Sequence, residues 1–458
     1  MKLSRTLLAS TIVAALGGLL FGFDTAVISG ATDDLTRVFG LDQLWLGMSG
    51  GFWLGFTVAS ALVGTVIGSL AVGRPADKAG RRTTLVWMAV FYFVSAIGSA
   101  IAWDWASFLF FRFLGGLGVG GASVVCPMYI AEISPARLRG RLVAVQQFNI
   151  VLGILLAYLS NYVVAQQGLG ETAWRWMFGV EAFPAAAFFL LLFTVPRSPR
   201  WLVAQGRVDE ARRVLARLGT DEGSVDDEVR AIQTSLDVEH HSLAEPLFQS
   251  KYRSPILLAV AIAMFNQLSG INALMYYAPH IFKLAGAASD SALRQSVIVG
   301  LTNLVFTMLA LSVIDRFGRR TLMLVGSVGY IVSLSATAWA FYTYGTEFTP
   351  TGSRVVLASL LVFIASHAFG QGAVIWVFIS EIFPNRIRAR GQALGSFTHW
   401  IMAAGISWTF PMFAKASGGH IFAFYAAMMV LQLVWVIVVM PETKGVPLEE
   451  IQKRLHIE

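Results

Sequence analysis

The chain is poor in charge. Only 13% of its 458 residues are Asp, Glu, Lys or Arg, where a soluble globular domain carries about 25%. That deficit argues against an ordinary soluble domain. There is one cysteine, Cys126, so no internal disulfide can form and no redox or metal framework is offered. No phosphate-binding loop is present. The run GGLGVGG at 115–121 lacks a following Lys-Ser/Thr and lies in an apolar stretch, where glycines serve close helix packing better. No nucleophile–base set or metal cluster is evident, so an enzyme is not expected, nor is a cofactor.

What fills the chain is apolar residues, 56% of the total. They fall into roughly twelve runs of about 20 residues, the length that crosses a bilayer as a helix. The runs centre near 18, 58, 92, 119, 153, 185, 265, 304, 331, 368, 402 and 430. They do not alternate polar with apolar as a β-barrel would. The N-terminal run resembles a signal peptide, but it continues to Ile28, contains Asp24 and has no clear cleavage site. It reads as a retained first span. The net charge of +7 comes from topology, not from nucleic-acid binding. With both termini cytoplasmic, all Lys and Arg except Arg37, Arg112, Arg175, Lys283, Arg294, Arg354 and Lys415 fall on the inner side, as the positive-inside rule requires.

Two patterns occur twice. DKAGRR at 77–82 returns as DRFGRR at 315–320, and AEISPARLRGR at 131–141 returns as SEIFPNRIRAR at 380–390. Each pair follows the corresponding span of a six-span half. The expected organisation is a half over 1–196, a cytoplasmic helical segment over 197–250, a second half over 251–440 and a tail over 441–458. Internal repeats of this kind mark secondary transporters. In the 197–250 segment, Ser198 is a candidate N-cap with Pro199 at the first helical position. Leu202, Val208, Val214, Leu215 and Leu218 fit one amphipathic helix, and a second, weaker helix is expected around 224–237.

The stretch FNQLSGINALMYYAP, 265–279, places many hydrogen-bonding groups in an apolar span. On a straight helix Gln267 and Asn272 would point about 140° apart. A break at Ser269-Gly270 would let them act together, so the seventh span reads as discontinuous. Asn272 and Tyr276 then share a face. Amides offer donors and acceptors without a charge to bury, which is what replacing the water around a polyol requires. The bland alternative is that the amides only link helices.

GRPADKAGRR, PMYIAEISPARLRGR, QQFNIVLGI, NQLSGINALMYYAP, DRFGRR, SEIFPNRIRARG and PETKG, in this order, resemble the sugar porter family of the major facilitator superfamily over essentially the whole chain. The resemblance implies an all-α membrane protein of twelve transmembrane helices in two pseudo-symmetric halves. It implies a monosaccharide:proton symporter, similar to xylose and glucose transporters, working by alternating access as a monomer in the cell (inner) membrane. Its partners would be the monosaccharide, the proton and the lipid bilayer, with no nucleic acid. The matching sugar-site positions are Gln147, Asn266, Gln267, Asn272, Asn303, Trp376 and Trp400, with Phe21 and Tyr276 lining the same cavity. Asp24 in the first span and Arg112 in the fourth match the positions that mark proton coupling, and Glu181 is a further intramembrane carboxyl. Removal from water favours a protonated carboxyl, whereas a guanidinium beside it favours the ionised form. An aspartate that gains and loses an arginine partner can therefore carry a proton across. The resemblance makes Asp77, Arg81, Arg82, Glu132, Arg139, Asp315, Arg319, Arg320, Glu381 and Arg388 a cytoplasmic latch.

Four positions depart from the family pattern. Asn266 stands for a usual glutamine, and His399 stands where Gln or Asn usually precedes the span-eleven Trp. Span ten has GQGAVIW, 370–376, without the usual prolines. In VPRSPRWL, Arg197 stands where a glutamate is usual, removing one expected latch contact. A passive uniporter is the alternative, with Asp24 against it. A sugar sensor is a further one, for which the tail 441–458 is short.

Overall fold

The computed structural model describes the chain except residues 1–3, 44–46, 136, 220–224, 243–245, 346, 385–386, 447, 456 and 458, and except the side chains of 237–242, 315 and 448–449. Asp315 among the latch candidates therefore lies outside the described side chains. The described residues are mostly helical, and no strand is found among them. In order they form α1 (Arg5–Val27), α2 (Thr32–Val38), α3 (Gly50–Ala71), α4 (Gly73–Lys78), α5 (Arg81–Ala100), α6 (Trp105–Ile133), α7 (Arg139–Ala165), α8 (Ala173–Gly179), α9 (Ala182–Leu191), α10 (Pro199–Ala204), α11 (Val208–Leu218) and α12 (Val225–Ser242). The second part holds α13 (Arg253–Leu268), α14 (Ile271–Leu284), α15 (Ser289–Phe317), α16 (Arg319–Tyr344), α17 (Pro350–His367), α18 (Ala373–Ile382), α19 (Arg388–Ala416), α20 (Gly418–Val438) and α21 (Leu448–Arg454).

Among the described residues, 10 helical stretches are long and apolar enough to cross a membrane. The two remaining expected spans, near 185 and 402, differ for separate reasons. The sixth is divided into α8 and α9 by Val180-Glu181, so neither piece is a full span. The eleventh, α19, is one unbroken 29-residue helix, but it carries Arg388, Arg390, His399 and Lys415 and is the more polar for it.

Two compact units can be distinguished. One comprises 1–24, 63–154 and 178–245; the other comprises 25–62, 155–177 and 246–458. The first is built on a core that includes Leu20, Tyr92, Val119, Tyr129, Phe188 and Leu202. Glycines set its packing distances. A Cβ on Gly120 would come within 2.2 Å of the Thr65 carbonyl oxygen, and one on Gly115 within 2.4 Å of Ser95 Oγ. The run 115–121 is thus a close-packing surface, as its sequence suggested. At its start, Asp104 caps α6: its Oδ1 accepts from Ser107 N–H at 2.7 Å, and Ser107 Oγ accepts from Asp104 N–H at 3.1 Å.

The 197–250 segment begins as expected, with Ser198 Oγ accepting from Trp201 N–H at 3.2 Å and Pro199 opening α10. The single amphipathic helix expected there is two. Gly206, at φ +71°, ends α10 and lets α11 start on a new axis. Leu202, Val214, Leu215 and Leu218 are buried, and Val208 packs at the edge of the same core. The second expected helix is α12. The other unit has its own core, including Leu258, Ile262, Phe378, Ile379 and Val436.

Candidate functional site

The seventh span is broken where its sequence suggested. Helix α13 ends at Leu268, Gly270 adopts φ +84° and ψ +13°, and α14 begins at Ile271. This left-handed conformation is costly for any side-chain-bearing residue. It is also crowded, since a Cβ would sit 2.5 Å from the Tyr425 ring. The turn brings two amides together that a straight helix would separate. Asn272 Nδ2 donates to Gln267 Oε1 at 2.9 Å, and Gln267 Nε2 donates to Asn266 Oδ1 at 2.9 Å. Farther along, Tyr277 departs from helical geometry, at φ −126° and ψ 17°, just before Pro279. Its hydroxyl donates to the Ser407 carbonyl at 2.9 Å.

His399 completes this cluster. Its ring nitrogens lie 3.2 and 3.3 Å from Gln267 Nε2. Its ring stands 5.1 Å from that of Trp376 and 4.9 Å from that of Trp400, centroid to centroid. Trp376 is 38% exposed and Trp400 is 6% exposed. The structure thus brings Asn266, Gln267, Asn272, Trp376 and Trp400 into one neighbourhood through His399. Tyr276 is buried on α14 beside it. Asn303, buried on α15, contacts Thr307 at 3.4 Å and is not part of this network. Gln147 on α7 and Phe21 on α1 belong to the other unit, both half-buried.

Span ten lacks proline, but it is not a regular helix. Ala368–Gly372 winds as a π-helix between α17 and α18, a local form that often marks functional sites. Gly370 packs its backbone on Gly326 of α16, where an added Cβ would meet the opposing Cα at 3.0 Å. Gln371, fully buried in this segment, donates to Gln432 Oε1, and Gln432 Nε2 donates to Ser327 Oγ at 2.8 Å. The sequence reading missed this polar relay, because its members come from three separate helices and no one motif contains them.

Asp24 of the first span and Arg112 of the fourth meet. Arg112 Nη1 lies 2.5 Å from Asp24 Oδ1, and Nη2 lies 3.3 Å from Asp24 Oδ2. The side chains are 1% and 5% exposed. The guanidinium also faces the Phe178 ring at 5.4 Å. Glycine at 115 leaves room here, since a Cβ would come within 3.6 Å of Asp24 Oδ1 and 2.4 Å of Ser95 Oγ. Glu181, 2% exposed at the break in span six, interacts electrostatically with both members of the pair. Its Oε1 has no hydrogen-bond partner among the described residues, and neither do Tyr92 Oη and Ser95 Oγ. Removing one partner from such a buried pair costs about 3–5 kcal/mol.

The repeated motifs form matched arrangements in the two units. Gly80, at φ +89°, precedes Arg81, and Gly318, at φ +90°, precedes Arg319. Arg81 pairs with Glu132 at 2.9 Å and Asp77 at 3.0 Å; Arg319 pairs with Glu381 at 2.8 Å. Ser198 Oγ donates to Glu132 at 2.5 Å and Thr443 Oγ1 to Glu381 at 2.6 Å. The other four described latch arginines bind main-chain carbonyls. Arg82 donates to Phe193 and Arg320 to Val436 and Ile437. Arg139 donates to Ala131 and Arg388 to Phe383. Glu442 was also missed. Its carboxylate accepts the N–H groups of Arg319 and Arg320, both at 3.0 Å, and so caps α16. The signal available was PRS at 196–198 against PET at 441–443, each following the last span of its half.

Residues 10–455 match the family model described as sugar (and other) transporter. The chain belongs to this family. It is 39% identical to the D-xylose-proton symporter of Escherichia coli (strain K12), over 98% of this chain and 96% of that protein. It is 35% identical to the arabinose-proton symporter of Bacillus subtilis (strain 168), over 96% and 93%. It is similar to the partially occluded inward open conformation of the xylose transporter XylE from E. coli, at a TM-score of 0.86 and 38% identity, over 97% of this chain and 100% of that one. The sugar transporter chain therefore has the twelve-helix major facilitator fold of a multi-pass membrane protein.

Proposed function

We propose that this protein imports a monosaccharide, xylose-like or glucose-like, together with a proton by alternating access. The observation that carries the reading is the buried Asp24–Arg112 pair, with Glu181 beside it. A charge pair placed inside a membrane span is a functional hypothesis by default. Protonation of Asp24 removes the attraction that holds Arg112, and loss of the proton restores it. A proton thus links the position of α1 to that of α6. The relatives named as proton symporters of xylose and arabinose support the same reading.

The amides of the broken seventh span supply the sugar contacts in this proposal. Gln267 and Asn272 are hydrogen-bonded to each other, so a polyol can exchange with a ready partner at either amide. The indole faces of Trp376 and Trp400 suit the C–H face of a pyranose. Tyr276, Asn303, Asn266, Gln147 and Phe21 are proposed as the remaining contacts. The Arg81–Glu132 and Arg319–Glu381 networks are proposed as latches, with Asp77, Arg82, Arg139, Asp315, Arg320 and Arg388 around them. Two six-span halves, cytoplasmic termini, an inner-membrane location and a monomer complete the reading. Both bilayer leaflets would contact the outward-facing apolar residues, such as Phe183, Val325 and Val438.

Uptake of labelled xylose into proteoliposomes, with arabinose and glucose as competitors, tests it. Accumulation above equilibrium only under an inward proton gradient is expected. Equilibration to one level with or without the gradient would make the protein a uniporter.

A further inference from the structure

The matched arrangement of the two repeats fails at one position. After the last span of the second half, Glu442 seats its carboxylate on the N-terminus of α16, accepting from Arg319 N–H and Arg320 N–H. The corresponding place after span six is held by Arg197. The neighbours on either side keep their roles, since Ser198 binds Glu132 as Thr443 binds Glu381. The helix that should receive the carboxylate is α5. Among the described residues, no side chain accepts from the N–H groups of Arg81 and Arg82.

A cavity of about 360 Å³ opens at this spot, lined by Arg82, Arg197, Arg213 and Arg217 among others. The one carboxylate in its lining, Glu210, is engaged by Arg207. Asp77 and Glu132 nearby are engaged by Arg81. Arg197 rests on the Trp201 ring at 5.3 Å, and Arg82 on the Phe193 ring at 5.9 Å. Among the described residues, none of the four lining arginines pairs with a carboxylate. Four guanidinium groups lining one space favour an anion among them, and their planar forks match phosphate oxygens.

We propose that this cavity binds a phosphate-bearing anion that takes the place Glu442 fills in the other repeat. The adjoining surface favours a lipid headgroup as its source. Leu190, Leu191 and Phe193, at the end of α9, are 64%, 40% and 53% exposed, so acyl chains can lie against them while the headgroup enters the cavity. On the orientation proposed above, this end faces the inner leaflet, where anionic lipids attract clustered arginines. Occupancy caps α5 and steadies the Arg81–Glu132 network, which makes the latch of this half responsive to an anion while that of the other half is self-contained.

The test is thermal unfolding of the detergent-purified full-length protein. The additions are dioctanoyl phosphatidylglycerol, dioctanoyl phosphatidylcholine or inorganic phosphate. Phosphatidylglycerol is expected to raise the unfolding temperature saturably and phosphatidylcholine is not. An equal response to inorganic phosphate would assign the same site to a soluble phosphate. Arg197→Glu supplies an internal carboxylate, so it is expected to be more stable without any addition and to lose the response. Arg213→Glu with Arg217→Glu, on the exposed face of α11, is expected to weaken the apparent affinity at least about tenfold without that gain. No response of the unsubstituted protein to phosphatidylglycerol or phosphate would overturn the proposal. So would an equal response to phosphatidylcholine, or variants that respond unchanged.

Discussion

Asn272 and Gln267 are hydrogen-bonded side chain to side chain at 2.9 Å, although they are five residues apart on a segment that is otherwise helical. Gly270 makes this possible, with its positive φ and no side chain against Tyr425. The same turn leaves Gln267 Nε2 shared between Asn266 and His399. One glycine therefore organises four side chains.

Replacing Gly270 by alanine is expected to disrupt that arrangement. The left-handed backbone alone costs about 1–2 kcal/mol for a residue with a Cβ, and the contact with Tyr425 adds to it. Sugar binding measured by calorimetry on the purified variant should be lost or greatly weakened, while helix content by circular dichroism stays near that of the parent.

Gln267→Ala removes the residue that Asn266, Asn272 and His399 all address. A buried polar group left unpartnered costs about 1–3 kcal/mol. Sugar affinity is expected to fall about tenfold to a hundredfold. His399→Gln keeps a hydrogen-bonding partner for Gln267 and should retain binding with altered preference between xylose and glucose. Competition binding with both sugars checks the two variants together.

The expectations that succeeded rest on residues whose chemistry is conspicuous in a membrane span. Asp24 and Arg112 are lone charges in apolar runs, so their pairing was legible. Ser269-Gly270 lay between two amides that a straight helix would hold apart. The π-helical turn at 368–372 was not legible, because no proline announces it and it depends on Gly370 packing against Gly326. The division of span six at Val180-Glu181 was not expected, although Gly179, Glu181 and Pro184 stand at the break; none of them alone requires a helix to end. Glu442 escaped notice because its partners are backbone N–H groups more than a hundred residues away in sequence. The division of the cytoplasmic segment at Gly206 needed the positive φ, which one glycine in a helical pattern does not declare.

Glu442→Ala should destabilise the protein through α16. The carboxylate caps two N–H groups there, and loss of a cap costs about 0.5–2 kcal/mol. Glu442→Gln keeps an acceptor and should recover part of that. Thermal unfolding of the three proteins side by side is the measurement.

Asp33 on α2 binds Lys283 on α14 at 2.6 Å, with His280 3.7 Å away. His280 and Lys283 hold the Asp33 carboxyl well below its ordinary value of 3.8. The stabilisation is therefore fully present above 3.8 and is lost only as pH falls through the lowered value. Asp33 is 53% exposed, so Asp33→Asn should cost no more than about 1 kcal/mol. The difference between the two proteins should be flat from about pH 8 to about pH 9.5, above the ordinary histidine range, in thermal unfolding. A difference that grows or vanishes within that window would contradict the assignment.

The central claim is that a proton on Asp24 travels with the sugar. It is tested most directly by recording external pH when xylose is added to lightly buffered proteoliposomes. The account expects sugar-dependent alkalinisation outside with the unsubstituted protein. Asp24→Asn should give none, while still exchanging labelled xylose across the membrane. Alkalinisation by the Asp24→Asn protein equal to that of its parent would contradict the account.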